Sequence, residues 1–273
     1  MAIIVTIIGI ICAIAFIPGI REDEEMKERR AIIDAKKRDS FFKTLVFALK
    51  QKNFMVFVFI SLCNFISVIL IQASISYWNA WILGYPKDYE IFPLLVFIIT
   101  GVLGVPVWYR LGTKYGSVRM FIVSNLIFGF GLFAFLFISD LLFTLILFAI
   151  GGLALGGSKT LEIVVFSDVI DEAMINARKR QEGVYNGIRV FIIRLSIIAQ
   201  VVLFAIVHTA TNYIPGKPGI VDQPSEALFG IRLLIGGIPA VVMLFGTFLF
   251  WKIYDITPEK SIALKKQLYQ LNL

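Results

Sequence analysis

Seven apolar stretches, at about 2–20, 54–82, 91–108, 120–138, 141–165, 184–207 and 227–250, alternate with polar segments along the chain. A bilayer core of ~30 Å takes about 20 residues at 1.5 Å of rise each, so every stretch meets or approaches the length of a transmembrane helix. The pattern predicts an all-α polytopic membrane protein with about seven transmembrane helices. The first stretch lacks the form of a signal peptide. Nothing basic precedes Ala2, and Ile17-Pro18-Gly19-Ile20-Arg21 has no small-residue cleavage pattern.

The polar segments set the orientation. Ten bases fall in 21–53, three in 109–119, three in 166–183 and four in 251–273, whereas the opposite side carries only Lys87 and Lys217. By the positive-inside rule, twenty against two places the amino terminus outside and the carboxy terminus in the cytoplasm of a plasma-membrane protein. The organisation expected is an orphan transmembrane helix at 1–20, a charged cytoplasmic linker at 21–53, a six-helix bundle at 54–250 and a basic cytoplasmic tail at 251–273. Within the linker, Ser40 is a candidate cap for an amphipathic Phe41–Lys52 piece lying along the membrane surface.

Composition agrees with the pattern. Of the 273 residues, 58% are hydrophobic and 16% charged, against about 25% charged in a soluble domain. The net charge of +7 needs no nucleic-acid partner, because topology alone accounts for where the bases lie. Cys12 and Cys63 sit inside apolar runs and read as packing residues. No phosphate-binding loop, paired-histidine metal motif or serine elbow occurs, so neither an enzyme nor a cofactor is expected.

Charges inside spans are costly and therefore informative. Lys159 and Glu162 are three residues apart near the cytoplasmic face and can pair or snorkel there. Arg189, ~7.5 Å into span six, is within snorkelling reach of the interface, whereas Arg194, ~15 Å in, reaches the midplane. No acidic residue of the bundle lies at the depth of Arg194, so it calls for an aqueous pathway or a structural tie through carbonyls. Arg232 reads as an interface residue, and His208 as an interfacial side chain at the outer end of span six. Tyr77, Trp78, Asn79 and Trp81 cluster near the outer face, where an aromatic belt and a platform for amphipathic solutes are both open readings. Gly152 and Gly156 have the small-xxx-small spacing, and Gly101, Gly104, Pro106, Gly236, Gly237 and Pro239 mark helices that approach closely or bend.

The segment Ser167-Asp168-Val169-Ile170-Asp171-Glu172, followed by Ala177-Arg178-Lys179-Arg180-Gln181-Glu182-Gly183, carries a resemblance. It is similar to the loop between the tenth and eleventh helices of the glycoside–pentoside–hexuronide:cation symporters, the melibiose-permease branch of the major facilitator superfamily. Asp168 and Asp171 match that family's acid pair, and Arg180 and Glu182 its Arg-x-Glu. Arg194 falls twelve positions on, where the family usually has Lys. The segment from Tyr109 through Thr113, Lys114 and Gly116 to Arg119 looks like a degenerate copy of the superfamily's cytoplasmic loop motif, with Thr113 in place of its acid. Tyr77 to Gly84 resembles the aromatic end of the seventh helix.

The resemblance covers the chain in order, as helices six to twelve of a twelve-helix transporter. It implies the carboxy-terminal part of a cation-coupled symporter, driven by Na+ or H+, for a sugar or related small solute. A separate amino-terminal half would be the partner, and the lipid bilayer the surroundings. Arg194 would face the central cavity, with Tyr77, Trp78, Asn79 and Trp81 on the substrate side. Asp168, Asp171, Arg180, Glu182, Lys114 and Arg119 would form a cytoplasmic gate. Two alternatives stand beside it: a seven-helix sensor or receptor, and a non-transporting regulatory subunit.

Overall fold

A computed structural model describes residues 6, 7, 9–11, 14, 15, 41–179, 181–216 and 218–271. The chain divides into two units, Met1–Thr44 and Leu45–Leu273. In the first, the seven described residues of the predicted orphan helix are all helical. The rest of that helix, the linker before Phe41, the Ser40 cap, Cys12 and Arg180 lie outside the described residues.

A short helix, Phe41–Leu49 (α1), is followed by the six helices among the described residues that are long and apolar enough to cross a bilayer. The first is Lys52–Tyr77 (α2), extended by a π-helical turn over Trp78–Leu83. Gly84 ends it, with φ at +70°, a left-handed conformation that glycine adopts without a Cβ penalty. Ile91–Tyr115 (α3) and Ser117–Phe133 (α4) are joined tightly at Gly116, whose φ is +94°. Leu141–Ala177 (α5) begins on Asp140, whose carboxylate accepts from the backbone amides of Leu142 at 2.8 Å and Phe143 at 3.3 Å. Its 37 residues rise ~55 Å, which outruns the bilayer core and carries Asp168, Asp171 and Glu172 beyond it.

Glu182–Ala210 (α6) is the next span. The last one joins Ser225–Arg232 (α7) to Ile238–Ile253 (α8) through a π-helical turn at Leu233–Gly237. Pro239 explains that turn: lacking an N–H, it cannot continue the regular hydrogen-bond ladder at this point. A final helix, Pro258–Gln270 (α9), occupies most of the basic tail.

Between helices in lipid the cohesion comes from close packing, since the surroundings are as apolar as the side chains. The α3–α5 pair shows how this works. A methyl group on Gly152 would overlap the carbonyl oxygen of Phe97, and one on Gly156 that of Gly101, so the two backbones meet directly. α4 packs on α5, α8 on α2 and α4, and α6 mainly on α2. Aromatic side chains fill the core: Phe57 stacks on Phe166 at 5.1 Å, Phe121 meets Phe250 edge-on at 5.3 Å, and Trp78 meets Phe135 at 5.3 Å. Cys63 is buried and unpaired, its sulfur against Gly246.

Candidate functional site

The bundle has two ends, one carrying the basic loops and the other nearly free of them. Nearer the basic end, but within the spans, a polar seam joins α2, α5 and α6. Its centre is Glu162, only 4% exposed. One carboxylate oxygen accepts from Ser61 Oγ at 2.8 Å and from Arg189 Nη2 at 2.5 Å; the other accepts from Lys159 Nζ at 2.9 Å.

The predicted Lys159–Glu162 pair therefore forms, at the i,i+3 spacing of one helix face. The snorkelling route open to Arg189 is not taken. Its guanidinium turns inward to Glu162 instead of snorkelling out, and lies 4.7 Å from the centre of the Phe166 ring and 5.7 Å from that of Phe57. The physical reason is the proximity of α6 to α2 and α5 at this level. A paired and stacked guanidinium keeps its charge compensated without crossing to water. Lys159 lies over Phe65 at 4.7 Å. Beside the ion cluster, Asn64 donates to Ser158 Oγ at 3.2 Å. Asn64 Oδ1 and Arg189 Nε are buried with no hydrogen-bond partner among the described residues, which leaves the seam one free acceptor and one free donor there.

Arg194 lies on the opposite side of α6 from the residues that pack on the bundle, such as Tyr185, Ile188, Ile193 and Ser196. It is exposed and has no hydrogen bond or ion pair among the described residues.

The aromatic group near the other end divides in two. Trp78 is fully buried and donates from Nε1 to Thr144 Oγ1 at 3.3 Å, while Asn79, 1% exposed, donates to the carbonyls of Tyr85 and Pro86. Both hold the protein to itself. Tyr77 and Trp81 keep accessible surface, and around them Tyr213 and His208 complete an aromatic cluster. The Tyr213 and His208 rings are 4.4 Å apart, and Trp81 Nε1 donates to the Tyr213 hydroxyl at 3.2 Å.

At the basic end, Asp168 accepts from Ser261 Oγ at 2.7 Å and lies 3.6 Å from Lys265, both on α9. Asp171 is half-buried and Glu182 exposed; Lys114 and Arg119 are exposed on the α3–α4 corner, Lys114 over the Tyr115 ring at 5.1 Å. What joins the elements here is a set of residues that sequence reasoning missed. Asn53 donates to Glu172 at 2.6 Å and to Asp255 at 2.8 Å, and Lys260 bridges Glu172 and Asp255 at 2.7 Å each. The one available signal was the helix start Thr257-Pro258-Glu259, a cap followed by proline at the first turn.

Hydrogen bonds from Lys260 and then Asn53 hold the Asp255 carboxyl at about 2, well below its ordinary value. Burial works against the Lys260 charge, yet its hydrogen bonds to Asp255 and Glu172 outweigh it and raise the ammonium above its ordinary value. Among the described residues, no group of three or more His, Cys, Asp and Glu side chains could hold a metal ion.

Residues 1–258 match the family described as "MFS/sugar transport protein". Among relatives, the sodium-dependent lysophosphatidylcholine symporter 1 of Gallus gallus is 22% identical over 265 residues, covering 96% of this chain and 48% of that protein. The Homo sapiens protein of the same name is 22% identical over 271 residues, covering 98% and 48%. An uncharacterised symporter of Synechocystis is 25% identical over 234 residues, covering 83% and 42%. The chain spans about half the length of the curated relatives it matches. With six apolar helices packed as a bundle and nearly its whole length matched, the chain is a multi-pass membrane protein that belongs to the MFS/sugar transport protein family.

Proposed function

We propose that the chain acts in secondary active transport, as the carboxy-terminal part of a cation-coupled symporter whose other half lies on a partner or a preceding segment. The observation that carries this is the Glu162 cluster, in a chain of this family. An ion cluster shared by three helices inside the membrane marks a solute or ion pathway far more often than a packing device. The free acceptor on Asn64 and free donor on Arg189 support the same reading, because buried polar capacity without a protein partner is what a permeating solute or its water uses. Such transporters hold solute between two halves that rock against each other.

In this scheme Arg194 faces the central cavity, and Tyr77 and Trp81 are the members of the aromatic group with surface to offer a solute. Asp168, Asp171, Arg180, Glu182, Lys114 and Arg119 form the cytoplasmic gate, with Asp168 tied to the tail helix. The basic end is cytoplasmic, the membrane is the plasma membrane, and the coupling ion is Na+ or H+. The solute is a sugar or related small molecule. A second reading, a lysophospholipid, is favoured by the names of the animal relatives alone.

The test reconstitutes the chain with its missing half and measures uptake of a disaccharide and of lysophosphatidylcholine under separate Na+ and proton gradients. Arg194→Ala abolishes uptake and leaves membrane insertion intact. Unchanged uptake in the variant removes Arg194 from the cavity, and no gradient-driven uptake of either solute class removes the symport reading.

A further inference from the structure

Arg232, at the last turn of α7, has a charge that no carboxylate meets: among the described residues it forms no ion pair. Its Nη1 donates to the carbonyls of Phe135 at 3.5 Å, Leu136 at 3.2 Å and Ile138 at 2.5 Å, and its Nη2 to Ser139 Oγ at 2.6 Å. These acceptors close the carboxy-terminal end of α4, where the helix dipole is negative, and the Trp78 ring lies 5.6 Å from the guanidinium carbon. A guanidinium carries five N–H donors. Among the described residues, Nε–H and the second Nη2 hydrogen therefore have no acceptor, and such an edge suits the paired oxygens of a phosphate.

Beside that edge is an open cavity of about 480 Å³. Arg232, Ser139 and Ser225 supply its polar wall, and Trp81, Leu228 and Phe229 part of its apolar one. The volume lies within the range of small-molecule sites, about 300–1,000 Å³. The span starts at Ser225, so Arg232 is ~10 Å down it, close to the level of the headgroup boundary. A free anion would meet an apolar wall that contributes nothing to binding. An amphiphile would place its phosphate on the guanidinium and its chain along Leu228 and Phe229.

We propose that this cavity binds a bilayer phospholipid through its phosphate, with Arg232 as the anion-binding residue. The site lies away from the Glu162 seam; it shares Trp81 with the solute-side aromatic group, but phospholipid binding at Arg232 does not require the chain to be a transporter.

The test uses the full chain, delipidated in detergent and examined by native mass spectrometry, with phosphatidylglycerol, diacylglycerol and inorganic phosphate as probes. The wild type is expected to hold one phosphatidylglycerol and to leave diacylglycerol unbound. Arg232→Gln weakens that adduct at least tenfold. Because Arg232 also ties α7 to α4, Leu228→Trp serves as a second variant; it fills the cavity with that tie intact and is expected to abolish the adduct while the melting temperature is kept. Equal binding of diacylglycerol, retention of the adduct in Leu228→Trp, or displacement of the lipid by inorganic phosphate would each overturn the proposal.

Discussion

The Glu162 cluster lends itself to a double-mutant cycle. In Arg189→Met, Glu162 loses its 2.5 Å contact but keeps Ser61 at 2.8 Å and Lys159 at 2.9 Å. Breaking a buried pair costs about 3–5 kcal/mol; with two partners remaining, the lower end applies, about 3 kcal/mol. In Glu162→Gln the stranded charges are Lys159, with 39% of its side chain exposed, and Arg189, with 18%. Lys159 can turn to water while Arg189 cannot, so the cost is again about 3 kcal/mol. For a unit of this size each kcal/mol moves the melting temperature by about 2–4 °C, giving a fall of about 6–12 °C for either single variant.

Removing both charges leaves neither stranded, so the double variant is expected to recover most of the loss, with a coupling of at least about 2 kcal/mol. The buried thiol of Cys63, two residues beyond Ser61, reports the opening. In a Cys12→Ala background, its labelling by a maleimide on a temperature ramp reads stability at the seam itself. Single variants within about 2 °C of the parent, or a double variant that falls by the sum, would refute a compensated buried cluster.

Two further outcomes follow from the packing and from the tail. Gly156→Ala puts a methyl group onto the Gly101 carbonyl and is expected to cost about 1–3 kcal/mol, whereas Gly187→Ala, inside a helix with nothing within 4 Å of the added carbon, does not lower the melting temperature and is expected to raise it slightly; equal effects would deny the direct α3–α5 contact. Docking of α9 should depend on pH at both extremes. The depressed Asp255 carboxyl stabilises docking above its ordinary value and loses that contribution as pH falls toward about 2; the raised Lys260 ammonium stabilises docking below its ordinary value and loses it as strongly alkaline pH passes the raised one. Spin labels at positions 176 and 266 should give one short distance between those limits and a broad distribution outside them, with Asp255→Asn already broadened at neutral pH. A distribution independent of both pH and Asp255 would remove the clasp.

Much of this could be read from one dimension. The number of spans in the bundle follows from apolar length, since 1.5 Å per residue against a fixed bilayer thickness leaves little freedom. The predicted 141–165 stretch fell short of Ala177 because hydropathy marks where the apolar surface ends, and a helix continues past that wherever its own ladder and a docked neighbour support it. The role of Gly156 was legible as spacing, but the Gly101 carbonyl it admits was not. Lys159 and Glu162 could be paired from sequence because helical neighbours are local. Arg189 could not, because it lies 27 residues from Glu162 and reaches it only through the approach of two helices.

The sequence by itself therefore determined what depends on local geometry and on the solvent: the class of protein, the six spans of the bundle, the loops where basic residues gather, and the resemblance held in the Asp168 to Arg194 segment. Tertiary structure alone decided which polar groups meet. Asn53, Glu172, Asp255 and Lys260 come from α2, the end of α5 and the tail. Arg232 finds the end of α4, and Trp78 is spent on Thr144. In lipid every helix satisfies its own backbone, so its side-chain partners are set by how helices pack, and packing is a property of surfaces that a linear pattern does not contain.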